Sequence, residues 1–283
     1  MARPAALRQR LRAGGRAYGP LLLGDSPAAA ELLGACGYDF ACIDHEHGPT
    51  DPRSGQALLR ALDAAAVAGA SGRTEPLVRV PCAADAAYVK KVLDGLRLPG
   101  GLLFPMVEDA AAARRAVRAT RYPEVEGGVR GCAVPLVRAT GYGLAESAEE
   151  YLRLCREELL VLVQVESPAA VEAIPEIAAV EGVDGIFLGP YDLSAALGKM
   201  GRFEDPEVRR LLARAEAKVR ESESVLAGFR SPGRDLGEMF GECGYGLVVG
   251  AADLALLREA ARLDAAQGRE AAEAAAGRCG MNE

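Results

Sequence analysis

The sequence contains no tryptophan and only two histidines, and aromatic residues make up just 5% of it. No apolar run reaches the roughly 18–20 residues that a membrane-spanning helix needs, so a helical membrane protein is excluded. No run of Lys and Arg forms a basic face, and the formal net charge is −7, which argues against a nucleic-acid binder. The seven cysteines are an odd number with no CxxC pair and no secretory signal, so free thiols in a reducing, cytoplasmic setting are expected rather than a disulfide framework or a zinc finger. Cys42 lies inside an apolar run and reads as a small core residue. No GxGxxG follows the first apolar run, which removes the main support for a dinucleotide-binding open sheet. The start, MARPAALRQRLRAGGRAYG, is basic and poor in acids like a transit peptide, but it is short and lacks Ser; an amphipathic helix over residues 5–13 fits it better.

What is present is an alternation. Half of the 283 residues are hydrophobic, and the length suits one (β/α)₈ barrel, typically about 250 residues. Eight short apolar runs read as strands: 17–24, 40–44, 77–81, 101–105, 159–166, 185–189, 225–229 and 246–250. Most are continuous rather than alternating, the mark of strands buried on both faces of a parallel sheet. Helical patterns separate them at 27–34, 54–68, 85–93, 109–120, 168–180, 206–221 and 253–266. Strand followed by helix, repeated around the chain, predicts an α/β fold closed as a (β/α)₈ barrel spanning 1–283 as one domain, with an open doubly wound sheet as the alternative. Residues 121–147 form a long Gly/Pro/Arg-rich connection of the kind that is usually functional. The tail at 268–283 is Ala/Gly/Glu-rich and is expected to be disordered.

Barrel enzymes carry their active sites at the C-terminal ends of the strands. Asp44-His45-Glu46-His47 follows the second run, Arg79 ends the third, Gln164-Val165-Glu166-Ser167 closes the fifth, Gly189-Pro190-Tyr191-Asp192 follows the sixth, and Arg230 follows the seventh. Glu166 and Asp192 sit at adjacent strand ends and can share one cation; two carboxylates with water and substrate oxygens suit Mg²⁺ or Mn²⁺. They can equally cap the helices that follow. His45 or His47 can act as a base near neutral pH with Asp44 orienting it, or be an exposed loop residue. The two are read as pointing in opposite directions, which argues against both binding one ion. Arg79, in an otherwise apolar strand, either pairs with a core carboxylate or binds oxygens of the substrate. Gln164 is the same kind of residue.

These segments together resemble the metal-dependent 2-oxo-acid aldolases, the family of 4-hydroxy-2-oxoheptanedioate and 2-dehydro-3-deoxyglucarate aldolases, a (β/α)₈ barrel of the phosphoenolpyruvate/pyruvate-binding type. FACIDHEHGPTD resembles the strand-2 motif, and LLVLVQVESPAAV and GVDGIFLGPYDLSAALG resemble the two metal-site motifs; the likeness runs from about Leu7 to Arg262. It implies a lyase that joins or splits a 2-oxo acid such as pyruvate and an aldehyde. Glu166 and Asp192 would hold Mg²⁺, Mn²⁺ or Co²⁺. His47 would be the base, with Asp44 as partner and Asp94 in support, while Arg79, Gln164, Gly189, Pro190 and Arg230 would line the substrate site. It also implies a homohexamer with helices exchanged between subunits. The alternatives are a citrate-lyase-β or malyl-CoA type of C–C lyase, or an inactive barrel scaffold. The chain departs from the family pattern at His45, where Gly is common, at Arg230, where an apolar residue is common, and in a slightly longer segment between Asp94 and Pro105. His45 would then crowd the site. Arg230 would either meet an acidic aldehyde or turn outward to Asp235 or Glu238.

Overall fold

The computed structural model describes residues 5–68, 73–123 and 127–279. Eight parallel strands close into a barrel in sequence order: β1 (Ala17–Leu22), β2 (Phe40–Asp44), β3 (Glu75–Arg79), β4 (Gly100–Phe104), β5 (Leu159–Val165), β6 (Gly185–Leu188), β7 (Val225–Phe229) and β8 (Leu247–Ala252). The predicted (β/α)₈ architecture is therefore the observed one. The third strand begins two residues earlier than its apolar run, because Glu75 is buried and its carboxylate accepts the Leu7 N–H.

Strand pleating divides each strand between two cores. Phe40, Cys42, Leu77, Leu103, Leu160, Leu162, Phe187, Ala227, Leu247 and Val249 fill the barrel interior. Their neighbours Ala41, Ile43, Val78, Leu102, Val161, Val163 and Ile186 face the helices. Burial on both faces is why the runs were continuously apolar. Burial also pushes the Cys42 thiol up to about 12, so it is an inert core residue, as expected.

The basic N-terminal segment folds as α1 (Leu7–Arg12) and closes the N-terminal end of the barrel. Leu7 and Leu11 join the interior core, and Arg8 Nε bonds both Asp184 carboxylate oxygens at 2.8 and 2.9 Å. The expected helices appear as α2 (Pro27–Ala35), α3 (Pro52–Ala68), α4 (Ala86–Gly95), α5 (Ala110–Thr120) and α10 (Pro206–Glu221). Their starts follow side-chain caps: Ser26, Asp85, Asp109 and Asp205 each accept a first-turn N–H of α2, α4, α5 and α10.

Elsewhere the sequence reading needs correction. A single helix was expected over 168–180, but two short ones occur, α7 (Pro168–Glu172) and α8 (Ile174–Ala178), because Pro175 has no N–H to continue the ladder. Helix α6 (Ala148–Glu157), capped by Ser147, follows the long connection, which itself holds two 3₁₀ turns. Short helices α9 (Pro190–Ala196) and α11 (Leu236–Gly241) follow β6 and β7. The expected disordered tail is helical as far as Cys279: α12 runs Asp253–Cys279, and residues 280–283 lie outside the described residues. Ala, Glu and Arg are strong helix formers, so the composition that looked unstructured sustains the helix. Among the described residues, no helix is long and apolar enough to cross a membrane.

Candidate active site

The two-residue alternation places the polar groups. In β2 the inward series Phe40, Cys42 leads to Asp44, and in β3 Leu77 leads to Arg79; the strands pair Asp44 directly with Arg79. Arg79 Nε and Nη2 reach the two Asp44 carboxylate oxygens at 2.9 and 2.6 Å, a bidentate pair with both side chains buried. Asp44 Oδ1 also accepts the backbone N–H groups of Glu46 and His47, so it fixes the turn that leaves β2. The Arg79 guanidinium carbon lies 5.1 Å from the Phe229 ring centre, and Phe229 stands edge-on to Phe187.

The histidines diverge, as expected, but not through strand alternation, which would put positions i and i+2 on one side. The strand ends at Asp44 and the chain turns. His45 continues the outward series of Ala41 and Ile43 and leaves the site altogether. Its Nδ1 lies 2.9 Å from the Tyr88 hydroxyl of α4, and its ring sits over Gly55 of α3, where a Cβ would lie 2.5 Å from it. His45 therefore does not crowd the mouth. Its burial, opposed by Asp44 and Asp51, lowers its pKa to about 4. The His47 side chain is 66% exposed at the mouth.

Glu46, to which the motif reading gave no role, is drawn into the site. Its side chain is 16% exposed; Oε2 lies 3.0 Å from Arg79 Nη1 and 3.8 Å from His47 Nε2. Burial pushes its carboxyl up, with Asp44 and Asp192 adding to the push and Arg79 and His47 opposing it. Its place two residues after inward-facing Asp44 was the signal available in the sequence.

Gln164 and Glu166 continue the inward series of β5 after Leu160 and Leu162. Each Glu166 oxygen has one donor: the Met106 N–H at 2.7 Å and Gln164 Nε2 at 2.5 Å. Met106 holds φ at +53°, a left-handed conformation uncommon outside Gly, and this aims its N–H at the carboxylate. Two further bonds stitch the same loop to β5 and its end: Val107 N–H to the Gln164 carbonyl and Ser167 Oγ to Glu108 Oε2. Burial, with repulsion from Asp192 and Glu46, drives the Glu166 carboxyl up to about 7 against its two donors. Gly189 leaves the space beside it open; a Cβ there would stand 2.7 Å from Glu166 Oε2. Pro190 starts α9, which carries Asp192, exposed, in its first turn.

Two expected site residues are elsewhere. Asp94 lies in the last turn of α4, shortly before β4 begins at the opposite end of the barrel, and pairs with buried Arg130 at 3.0 Å. A helix that returns antiparallel to the strands cannot bring its C-terminal turn to the mouth of its own barrel. Arg230 is exposed, and its Nε donates to the Arg234 carbonyl at 3.0 Å rather than to Asp235 or Glu238. None of the four lysines sits at a strand end: Lys90 and Lys91 are in α4, Lys218 is in α10, and Lys199 follows α9 and pairs with Asp205 and Glu207, each at 2.7 Å.

The residues fit a divalent cation in the chemistry of their donors. Glu166 and Asp192 offer oxygen, Glu166 is held in a raised-pKa state that a positive charge would relieve, and buried Gln164 Oε1 has no hydrogen-bond partner. Among the described residues no three His, Cys, Asp or Glu side chains already converge on one point, so water and substrate oxygens would complete the shell.

Fold and polar mouth together define a barrel enzyme with its reactive groups at the strand C-termini. The chain belongs to the HpcH/HpaI aldolase/citrate lyase family, which it matches over residues 18–258. It is an aldolase, a carbon–carbon lyase. A hydroxypyruvate/pyruvate aldolase of Pseudomonas aeruginosa is 39% identical over 256 residues, covering 90% of this chain and 89% of the relative. A 4-hydroxy-2-oxo-heptane-1,7-dioate aldolase of Escherichia coli is 37% identical over 258 residues, covering 91% and 92%. The crystal structure of an HpcH/HpaI aldolase/citrate lyase family protein from Burkholderia cenocepacia J2315 superposes with a TM-score of 0.82 at 37% identity, covering 93% of this chain and 98% of that one.

Proposed function

We propose that the barrel mouth cleaves and forms 4-hydroxy-2-oxo acids, releasing or taking up pyruvate or a similar 2-oxo acid and an aldehyde, with Mg²⁺, Mn²⁺ or Co²⁺ held by Glu166 and Asp192. The observation that carries this reading is Glu166: a buried carboxylate with both oxygens held, pushed up to about 7 with Asp192 adding to the push, and with Gly189 leaving room for its side chain. Bound there, the cation supplies Lewis-acid stabilisation of an enolate. Arg79 spends two N–H groups on Asp44, lies beside the Glu46 carboxylate, and keeps three of its five donors for the oxo-acid oxygens. Gln164 lines the same site. His47, exposed at the mouth, takes the proton from the C4 hydroxyl in cleavage and returns it to solvent. A Schiff-base route is disfavoured by the position of all four lysines.

Pyruvate is incubated with a panel of aldehydes and Mg²⁺ or Mn²⁺, and products are read by mass. The expected result is a 4-hydroxy-2-oxo acid that forms with metal and not in excess EDTA. Undiminished product in chelator would overturn the metal reading. Cleavage of a CoA thioester with no free-acid product would favour the citrate-lyase-β or malyl-CoA alternative, and no turnover at all the inactive scaffold.

A second reading concerns assembly. Helix α12 runs out from the barrel with Leu254, Leu256, Leu257 and Leu263 exposed, and Leu32 of α2 is likewise uncovered. Apolar residues spaced along an exposed helix favour burial against another copy, which supports a homo-oligomer, a hexamer on the family pattern. Light scattering should show an oligomer that Leu257→Glu with Leu263→Glu breaks to smaller species; a monomeric wild type would refute it.

A further inference from the structure

The base at the mouth has a carboxylate partner other than the one its motif suggests. Asp44 is occupied: both oxygens bind Arg79, and Oδ1 also takes two backbone N–H groups. Asp94 is at the other end of the barrel on Arg130. The carboxylate that lies beside His47 is Glu46, with Oε2 3.8 Å from Nε2. That oxygen is buried and, although 3.0 Å from Arg79 Nη1, it is off the N–H axis and has no hydrogen-bond partner among the described residues. A buried carboxylate oxygen without a donor is costly to keep, and a donor from the substrate would offset that cost.

Resting on the aldolase reading above, we propose that Glu46 is a further catalytic residue: its Oε2 accepts the hydrogen bond of the substrate's C4 hydroxyl, between the Arg79 that grips the oxo acid and the His47 that takes the proton. In cleavage the hydroxyl proton passes along this contact to His47 Nε2. The C3–C4 electron pair moves onto C3 and its conjugated carbonyl, giving the enolate, and C4–O becomes the carbonyl of the departing aldehyde. Solvent then protonates C3 and takes the proton from His47, and both groups return to their starting state. The same contact selects substrates bearing a hydroxyl at C4.

The test separates hydroxyl chemistry from enolate formation. Oxaloacetate loses CO₂ to give the same enolate without any hydroxyl proton to remove. In the full-length protein with Mn²⁺, Glu46→Gln keeps the shape and leaves the Asp44–Arg79 pair in place. Cleavage of a 4-hydroxy-2-oxo acid should fall on the order of 10²–10⁴-fold in kcat, while oxaloacetate decarboxylation stays near the wild-type rate. His47→Ala should show the same split, and the double variant should be no slower than the worse single, as for groups that act as a unit. A parallel fall in both reactions would mean that Glu46 only holds Arg79, and would overturn the proposal. So would unimpaired cleavage by Glu46→Gln, or additive losses in the double variant. If the wild type performs neither reaction, the aldolase reading fails and takes this proposal with it.

Discussion

The Asp44–Arg79 pair is the place where structure and chemistry are most tightly joined, and Asp44→Asn probes it. Both side chains are buried, 0% and 5% exposed, and the pair is bidentate at 2.9 and 2.6 Å. Breaking a buried pair by removing one partner costs about 3–5 kcal/mol, because an uncompensated charge stays behind. Asn keeps one oxygen for Arg79 Nε and for the Glu46 N–H, and Glu46 still balances part of the guanidinium. The expected loss is therefore at the low end, about 3 kcal/mol. Arg79→Met leaves Asp44 buried with two backbone donors, and should cost about as much by the same argument. A double variant, Asp44→Leu with Arg79→Met, removes both charges and should regain most of that stability while remaining inactive. Urea unfolding at fixed protein concentration, with the slope compared between variants, measures all three. A single-variant loss below about 1 kcal/mol, the size of an exposed pair, would show that solvent reaches this pair, and the claim that it organises the mouth would fail.

Three further outcomes are expected. Glu166→Gln and Asp192→Asn should each abolish tight Mn²⁺ binding measured by electron paramagnetic resonance, and unchanged affinity in either would place the ion elsewhere. For His45, the unfolded chain takes up its proton near 6.5 but the folded protein only near 4, so this residue's contribution to stability is lost as pH falls through that window, about 3 kcal/mol in all. Glu75 and Glu166, raised to about 7, act in the opposite sense and lose their contribution as pH rises from about 4.5; the His45→Gln difference curve isolates the first effect, and a flat difference between pH 4 and 6.5 would refute it. Arg230→Leu should slow acidic and neutral aldehydes alike and only slightly, since it removes one exposed bond to the Arg234 carbonyl worth about 0.5–1.5 kcal/mol; a loss confined to acidic aldehydes would show that the side chain swings to substrate.

The barrel follows from local pattern alone. Doubly buried strands must be apolar on both faces, so FACID, LLVLVQV and GIFLG announce parallel strands, and the polar residues at their ends announce the mouth. Two-residue alternation even carried Asp44, Arg79, Gln164 and Glu166 to the inside. The partners of these groups are set by the closed barrel. Asp44 serves Arg79 rather than His47, because β2 and β3 pair in a register that sets those two side by side. Asp94 is far from the mouth because its helix returns antiparallel to the strands. Beyond Asp44 the alternation still sends His45 outward and Glu46 inward, but that they meet Tyr88 and Arg79 depends on where α4 and β3 pack. The start of α12 was legible at 253–266, but its continuation to Cys279 was not, since a stretch exposed all round shows no amphipathic face against which to read it. Local patterns fix which groups a strand presents; which groups meet depends on contacts between residues distant in sequence, and those exist only once the barrel has closed.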